Sequence, residues 1–310
     1  MYAEEVSSSR IPAGPAGRNR MNWSRMNSLF RPLRRRLPVL ALIAVLGMAL
    51  GLPACTTNPV TGRSQLMLVS ENQAIDASRE AYVEMLSGAR DEGRINADPE
   101  MTERVHGITE RLVAQAIEYR PETADWDWEI AVIEAPDTLN AFAMAGGKMA
   151  IYSGIIEQLE LTDDELAQII GHEIGHALSA HSAEKMSVAM ASNLAVTGFA
   201  ITGDRSELAL TGAALGAVLA VQLPHSRRME TEADEIGIEL AARAGYDPDA
   251  APALWRKMAE QSNGSRHPVF LSTHPAPEGR QRELARLADE VRPLYEAARD
   301  RNDLPTHPVN

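Results

Sequence analysis

The feature that most constrains this chain is the stretch GHEIGHALSAH at residues 171–181. His172 and His176 are four residues apart, so a helix places both imidazoles on one face, about one turn apart. Apart from the two histidines and one glutamate, all residues from 169 to 178 are apolar or glycine, which predicts a buried helix. Burying two imidazoles without partners costs free energy, because their hydrogen bonds to water are lost and not replaced. The stretch therefore favours a shared partner for both rings, such as a metal ion.

The glutamate of this stretch, Glu173, projects about 100° away from His172 around the helix axis. From there its carboxylate can act on water at a metal ion without being a ligand. His-Glu-x-x-His on a helix is typical of zinc metallopeptidases, in which two imidazole nitrogens bind the ion at about 2.0–2.1 Å. The alternative is a helix with two solvent-facing histidines, which the apolar neighbours disfavour.

A catalytic zinc site needs a third protein ligand and an open position. Downstream, the stretch SRRMETEADEIG (226–237) places Glu230 and Asp234 four residues apart on a predicted helix, with Glu232 and Glu235 on other faces. On spacing alone the preferred interpretation is a solvated acidic face, which is common in a chain with a net charge of −13. The same charge argues against nucleic acid as a partner.

The first 54 residues predict an export signal. They contain eight arginines and two acidic residues, and the uncharged run LPVLALIAVLGMALGL begins at Leu37. This run is short for a transmembrane helix. It ends close to Cys55, the only cysteine, so the chain can form no intramolecular disulfide.

Cys55 follows Leu-Pro-Ala, which resembles the lipobox of bacterial lipoproteins. The resemblance implies that Cys55 becomes an acylated N-terminus that anchors the protein in a lipid membrane of the cell envelope, facing the periplasm. The alternative is a spare cysteine in an ordinary signal sequence. Thr56, rather than aspartate, follows the cysteine, and by the same resemblance this favours the outer over the inner membrane.

The remaining sequence predicts a single domain of the α+β class, mostly helical. Strand periodicity at 126–132 and a hairpin at 141–152 around Gly146-Gly147 predict a small antiparallel sheet. Capping signals and periodicity predict helices over 70–90, 98–119, 162–185, 226–243 and 277–300, and one after Asp247-Pro248. The predicted organisation is a signal peptide at 1–54, a tether at 55–69, the domain at 70–300 and a tail at 301–310.

Taken together, the motifs resemble the metallopeptidase family that contains the CaaX prenyl proteases and the bacterial heat-shock protease HtpX. The resemblance rests on HEIGH, on E-x-E-A-D-x-x-G at 230–237 and on THPAPEGR at 273–280. TNPVTGR at 57–63 is similar to the start of its periplasmic lipoprotein members. The family implies a zincin-like (gluzincin) domain, one Zn²⁺ per chain, and proteins or peptides as substrates.

The resemblance also implies roles for individual residues. His172, His176 and Glu230 would bind the zinc ion. Asp234 would hold a liganding histidine through its free N–H, as metal sites usually require. Glu232 would not be a ligand.

Further roles follow from the third motif and from the predicted hairpin. His274 would either stabilise the oxyanion or close the site as a fourth ligand, with Arg280 in support. His181, five residues after the second histidine of HEIGH, is interpreted as structural. The hairpin at 140–155 resembles the family's hairpin beside the cleft, whose edge can pair with an extended substrate; a plain core hairpin is the alternative.

Two uncharged stretches rich in alanine and glycine, 187–203 and 208–226, approach the minimum length of a membrane span. A single span would separate His172 from Glu230, which a shared metal site excludes, whereas a hairpin of two spans is compatible with it. Because alanine, glycine, serine and threonine dominate, insertion would be weak, and buried or cleft-covering helices are preferred.

The expected function is a zinc-dependent metalloendopeptidase that hydrolyses peptide bonds of misfolded or unassembled envelope proteins, with zinc-activated water and Glu173 as general base. The alternative is a periplasmic chaperone or assembly factor whose latent zinc site is closed by His274. An intact Glu173 favours the peptidase, because a structural zinc site has no use for a base at that position.

Overall fold

A computed structural model describes residues 55–201, 223–262, 269–274 and 279–310. The described helices are α1 (Glu71–Asp91), α2 (Pro99–Tyr119), α3 (Ser153–Gln158), α4 (Asp163–Leu178), α5 (His181–Ile201), α6 (Leu223–Arg243), α7 (Ala250–Ser262), α8 (Val269–Thr273) and α9 (Arg280–Ala298). The described strands are β1 (Cys55–Thr57), β2 (Ser64–Leu66), β3 (Glu129–Ile133), β4 (Ala141–Met144) and β5 (Lys148–Tyr152). The predicted α+β class, with most residues in helices, is confirmed.

The sheet of the domain is mixed, whereas the sequence predicted an antiparallel one. Its order is β3-β5-β4; β4 and β5 form the expected antiparallel hairpin, but β3 runs parallel to β5. Gly146 and Gly147 make the hairpin turn with φ of 79° and 77°, which favours glycine. Alternating hydrophobicity shows which face of a strand is buried but not the direction of its neighbour, so the parallel pair was not predictable.

Helix starts follow the predicted caps. Ser70 and Thr162 each form a capping box with the residue three positions later. The side chain of Asp98 accepts hydrogen bonds from two backbone N–H groups in the first turn of α2. Local side-chain chemistry therefore determines where these three helices begin.

The predicted helix at 162–185 is wrong at its C-terminal end. α4 ends at Leu178, and Ala180 adopts a left-handed φ of 53°. A separate helix, α5, begins at His181. Because a residue with a β carbon disfavours the left-handed conformation, the sequence contains no local signal for this break.

α4 is the central helix of the fold, and every residue from Glu165 to Leu178 is buried. It packs most extensively against α6. A β carbon at Gly171 would lie 2.7 Å from the carbonyl oxygen of Gly237, and one at Gly175 would lie 2.8 Å from that of Ala233. The two backbones approach this closely only because these positions lack side chains. The contact places the HEIGH helix directly against the helix that carries E-x-E-A-D.

The two segments predicted as tether and tail are packed on the domain in this structure. β1 and β2 form an antiparallel hairpin, and Gln65 Nε2 donates to the carbonyl oxygen of Ser179 at 2.8 Å, just after α4. In the C-terminal segment 301–310, the backbone N–H of Asn310 donates to the carbonyl oxygen of Trp128. Both segments lack apolar periodicity, so these contacts could not be predicted from the sequence.

Within the described residues, no helix combines the length and the apolar character that crossing a membrane requires. α5 includes most of the first uncharged stretch. The second stretch, apart from its last residues, and the apolar run of the predicted export signal lie outside the described residues. Lipidation of Cys55 stays a prediction.

We expect Gly237→Ala to destabilise the protein, because the new β carbon would lie 2.6 Å from the backbone nitrogen of His172. Overpacking of this kind costs about 1–3 kcal/mol. Urea denaturation of the purified chain measures the loss. The matched control is Gly107→Ala in α2, where the new β carbon meets no neighbouring atom within 4 Å; it should be neutral or stabilise by up to about 1 kcal/mol. Equal denaturation midpoints for wild type and Gly237→Ala would contradict the helix contact.

Candidate metal centre

Four side chains that can bind a metal ion meet where α4, α6 and the end of α8 come together. His172 and His176 belong to α4, Glu230 belongs to α6, and His274 directly follows α8. One donor atom of each lies within 4.8 Å of the others, and all four side chains are buried. We refer to these four residues as the metal cluster.

Hydrogen bonds on the far side of His172 orient its ring. Its Nδ1 lies 3.0 Å from Asp234 Oδ1, and since a carboxylate can only accept, Nδ1 carries the hydrogen. The Nε2 of a neutral His172 therefore directs a lone pair into the metal cluster. Asp234 in turn accepts from Arg280 Nη2 at 2.6 Å, and the Arg280 guanidinium lies 3.6 Å from the ring centroid of Trp255.

A second series of hydrogen bonds orients His176. Its Nδ1 lies 2.8 Å from His181 Nδ1, and His181 Nε2 lies 2.9 Å from Glu232 Oε2. Because the carboxylate accepts from His181 Nε2, Nδ1 of His181 has a lone pair and accepts from His176 Nδ1. Burial lowers the pKa values of His176 and His181, which keeps both rings neutral. Nε2 of His176 therefore also directs a lone pair into the metal cluster.

The donor atoms of the metal cluster require a positive charge between them. The two Nε2 atoms are 3.1 Å apart, and the Glu230 carboxylate lies 3.3 Å from one and 3.4 Å from the other. Glu230 Oε1 is buried and has no hydrogen-bond partner. Burial lowers the pKa of His172, but Asp234 and Glu230 outweigh it and raise this pKa to about 9, so without a metal ion the ring holds a proton that zinc would displace. Two imidazoles and a carboxylate are a donor set that suits zinc, so these residues fit the ion.

Glu173 lies beside the metal cluster, next to the edge strand of the sheet. Its Oε2 accepts a hydrogen bond of 2.8 Å from the backbone N–H of Ala143 in β4. Its Oε1 is buried without a hydrogen-bond partner and lies 3.2 Å from His274 Nε2. The carboxylate is therefore positioned to accept a proton from a water molecule held in the cluster.

His274 lies between the other three residues of the metal cluster and Glu173. Its Nδ1 lies 3.1 Å from Glu230 Oε2 and 3.2 Å from His172 Nε2. Phe270 stacks on the imidazole with ring centroids 4.4 Å apart. In this position His274 offers a fourth donor, where a catalytic zinc site keeps a position open for water.

The structure brings together all the side chains that the sequence assigned to the site chemistry: His172, Glu173, His176, Glu230, Asp234, His274 and Arg280. Glu232 contacts His181 rather than the metal cluster, as expected for a residue that is not a ligand. Cys55 lies in β1, at the start of the described chain.

The sequence did not predict the contact between His181 and His176. In a continuous helix the two rings would lie on different sides, and the break at Ala180 is what brings them together. The only signal in the sequence was the presence of a further histidine close to HEIGH.

The mostly helical fold, with a His-Glu-x-x-His helix facing a glutamate on the neighbouring helix, defines a metallopeptidase domain. The sequence profile of peptidase family M48 matches residues 99–288, and the chain belongs to this family. The predicted relation to the CaaX prenyl proteases and HtpX is thereby confirmed at the level of the family. Metallopeptidases of this family use zinc, the ion that suits the metal cluster.

Several curated proteins are similar to this chain. Mitochondrial metalloendopeptidase OMA1 of Schizosaccharomyces pombe is 32% identical over 238 residues, which cover 75% of this chain and 66% of the relative. Mitochondrial metalloendopeptidase OMA1 of Saccharomyces cerevisiae is 31% identical over 251 residues, which cover 77% of this chain and 70% of the relative. Beta-barrel assembly-enhancing protease of Escherichia coli K12 is 28% identical over 278 residues, which cover 86% of this chain and 55% of the relative. The chain thus spans about half to two thirds of the length of several of these relatives.

We expect zinc to stabilise the protein strongly, because the ion would neutralise converging lone pairs and a buried carboxylate. Free zinc at about 100 times its dissociation constant should raise the free energy of unfolding by about 2.7 kcal/mol. Thermal unfolding with a chelator and with added zinc measures the difference. Glu230→Ala is the control and should lose most of the zinc-dependent shift. Identical unfolding temperatures for wild type with and without zinc would contradict the fit of the cluster.

Proposed function

We propose that this protein is a zinc endopeptidase in which His172, His176 and Glu230 bind the metal ion and Glu173 is the general base. One observation carries the proposal. Two imidazole lone pairs and a buried carboxylate converge on one point, and a second carboxylate lies beside that point without joining the cluster. A structural metal site needs only the first of these features, whereas a hydrolytic site needs both.

In the proposed mechanism, each residue has a defined task. When bound, zinc supplies the Lewis acidity that makes water nucleophilic at neutral pH. Glu173 takes the proton from the attacking water and delivers it to the leaving amine. Asp234 holds the N–H of His172, and Arg280 holds Asp234, so the ring stays oriented during turnover.

The edge of the sheet is the proposed place where the substrate binds. β4 is the outer strand next to β5, and the backbone N–H of Ala143 points to Glu173. An extended peptide that pairs with this edge would bring its backbone close to Glu173 and the metal cluster. Recognition through backbone hydrogen bonds suits unfolded or unassembled chains, because such chains expose extended segments.

The proposed location is the bacterial cell envelope, facing the periplasm, with Cys55 acylated and anchored, in the outer membrane rather than the inner one. The lipobox-like Leu-Pro-Ala-Cys supports this proposal. Among the similar proteins, one is named as a protease that enhances β-barrel assembly, which supports a role at the cell envelope, whereas others are named as mitochondrial metalloendopeptidases. We propose misfolded or unassembled envelope proteins as the substrates.

A second candidate function is a periplasmic chaperone or assembly factor whose zinc site is latent. The observation in its favour is that His274 occupies the fourth position of the metal cluster and contacts the proposed base. If His274 bound the ion together with His172, His176 and Glu230, the four positions of a tetrahedral zinc site would be filled and none would remain for water. The peptidase proposal therefore requires the segment that carries His274 to withdraw when substrate binds.

We expect Glu173→Gln to keep zinc and to lose cleavage. The amide cannot accept a proton from water, and removing a general base costs typically about 10²–10⁴-fold in rate. Zinc content by metal analysis and cleavage of unfolded casein by the purified chain measure both properties. Glu239→Gln on α6 is the control, because that carboxylate pairs with Arg243. Cleavage by Glu173→Gln at the wild-type rate would contradict the assignment.

We expect His274→Ala to increase basal cleavage of casein, because the substitution opens the fourth position of the metal cluster to water. A decrease with zinc retained would mean that His274 stabilises the oxyanion instead. Zinc bound without cleavage in both wild type and His274→Ala would favour the latent assembly factor. The comparison is made at equal zinc content, so that loss of the ion is not mistaken for loss of activity.

A further inference from the structure

A half-buried cation on the N-terminal hairpin, Arg63, plays no part in the mechanism proposed above. Arg63 directly precedes β2, and its guanidinium contacts two carboxylates that come from α5 and α6. Its Nη2 lies 2.6 Å from Glu184 Oε2, and its Nε lies 2.5 Å from Glu232 Oε1. Both glutamates are buried.

Glu232 connects Arg63 to a residue of the metal cluster. Arg63 binds both of its oxygens, through Nε and through Nη2 at 3.0 Å, and this bidentate contact fixes the plane of the carboxylate. Oε2 of the same carboxylate accepts from His181 Nε2 at 2.9 Å, and His181 Nδ1 lies 2.8 Å from His176 Nδ1. An uninterrupted series of hydrogen bonds therefore runs from Arg63 to His176.

The direction of these hydrogen bonds determines which nitrogen of His176 faces the metal ion with a lone pair. Because Glu232 can only accept, it selects the His181 tautomer with hydrogen on Nε2. That tautomer accepts from His176 Nδ1 and leaves His176 Nε2 free to bind the ion. If Glu232 moved away, the other tautomer of His181 would direct Nδ1–H against Nδ1–H of His176. His176 would then turn or change tautomer, and either change weakens its bond to zinc.

The hairpin that carries Arg63 is itself fixed to the domain. Gln65 Nε2 donates to the carbonyl oxygen of Ser179 and to Glu184 Oε2, both at 2.8 Å. The hydroxyl of Thr61 donates to Glu232 Oε1 at 3.2 Å. The guanidinium is therefore held in one place, close to the break between α4 and α5, which is also where His181 begins α5.

We propose that Arg63 is a positioning residue of the zinc site, which acts through Glu232 and His181 to fix the orientation and tautomer of His176. The N-terminal hairpin thereby contributes to zinc affinity without touching the ion. This inference rests on the proposed function, because it takes His176 as a zinc ligand.

The test compares the zinc dissociation constant of Arg63→Met with that of wild type, using the purified full chain and competition with a chromophoric chelator. Loss of an outer hydrogen-bond partner typically weakens metal binding about 10–100-fold, and we expect a change in this range. Arg63→Lys should restore part of the affinity, because an ammonium group keeps the charge but not the bidentate contact. The visible absorption of the Co²⁺-substituted protein, which reports ligand geometry, should change in Arg63→Met.

Arg120→Met is the control for the loss of an arginine that forms an ion pair with a glutamate. Arg120 is buried, pairs with Glu71 at 2.6 Å and donates to the carbonyl oxygen of Leu178 at the end of α4. In the described structure it forms no hydrogen bond or ion pair with His181 or Glu232. We expect Arg120→Met to lower the denaturation midpoint while the zinc affinity and the Co²⁺ spectrum stay at wild-type values.

A double-mutant cycle separates positioning from general stability. In a His181→Phe background, Arg63→Met should cause no further loss of zinc affinity, because the connection to His176 is already broken.

Wild-type zinc affinity and an unchanged Co²⁺ spectrum in Arg63→Met would overturn the proposal. If Arg63→Met does not fold, the zinc affinity of Arg63→Lys is measured in its place. Wild-type zinc affinity in Arg63→Lys would then overturn the proposed role of Arg63. If wild type itself binds no zinc, the proposed function fails. If wild type binds zinc and Arg63→Met binds it equally well, only the role of Arg63 fails, so the two failures are distinguishable.

Discussion

The structure depends on one electrostatic constraint at its centre. Two imidazole nitrogens, 3.1 Å apart, both direct lone pairs into a buried space that they share with the carboxylate of Glu230. Without a cation, these groups would repel one another, and buried charge without compensation is costly. A metal ion turns the repulsion into coordination. The glycine contacts between α4 and α6 bring the donors this close together, so the packing of two helices and the chemistry of the site have a common origin.

Two series of hydrogen bonds hold the histidines from opposite sides, and they come from different parts of the chain. One runs from Arg280 at the start of α9 through Asp234 to His172. The other runs from the N-terminal hairpin through Glu232 and His181 to His176. The E-x-E-A-D motif thus contributes one member of the metal cluster and one acidic residue to each series. This division of tasks explains why three carboxylates lie so close together on one helix.

Much of this arrangement was predictable because short-range sequence patterns determine it. Caps at Ser70, Asp98 and Thr162 mark helix starts, and the i, i+4 spacing of HEIGH places two imidazoles on one face. The parallel pair β3–β5 was not predictable, since alternation carries no information on strand direction. The contact of His181 with His176 was missed because it depends on the left-handed conformation of Ala180, for which the sequence contains no local signal. Arg63 was missed because its partners are more than a hundred residues away in the sequence.

X-ray absorption at the zinc K edge, on the full chain loaded with one equivalent of zinc, tests the central claim most directly. The account predicts a shell of nitrogen and oxygen donors at about 2.0–2.1 Å with the scattering signature of at least two imidazoles, and no sulfur at about 2.3 Å. Replacing Glu230 by alanine should remove one oxygen from this shell or abolish loading. A sulfur donor, or a shell without imidazoles, would contradict the account, because the ion would then lie outside the cluster on α4 and α6.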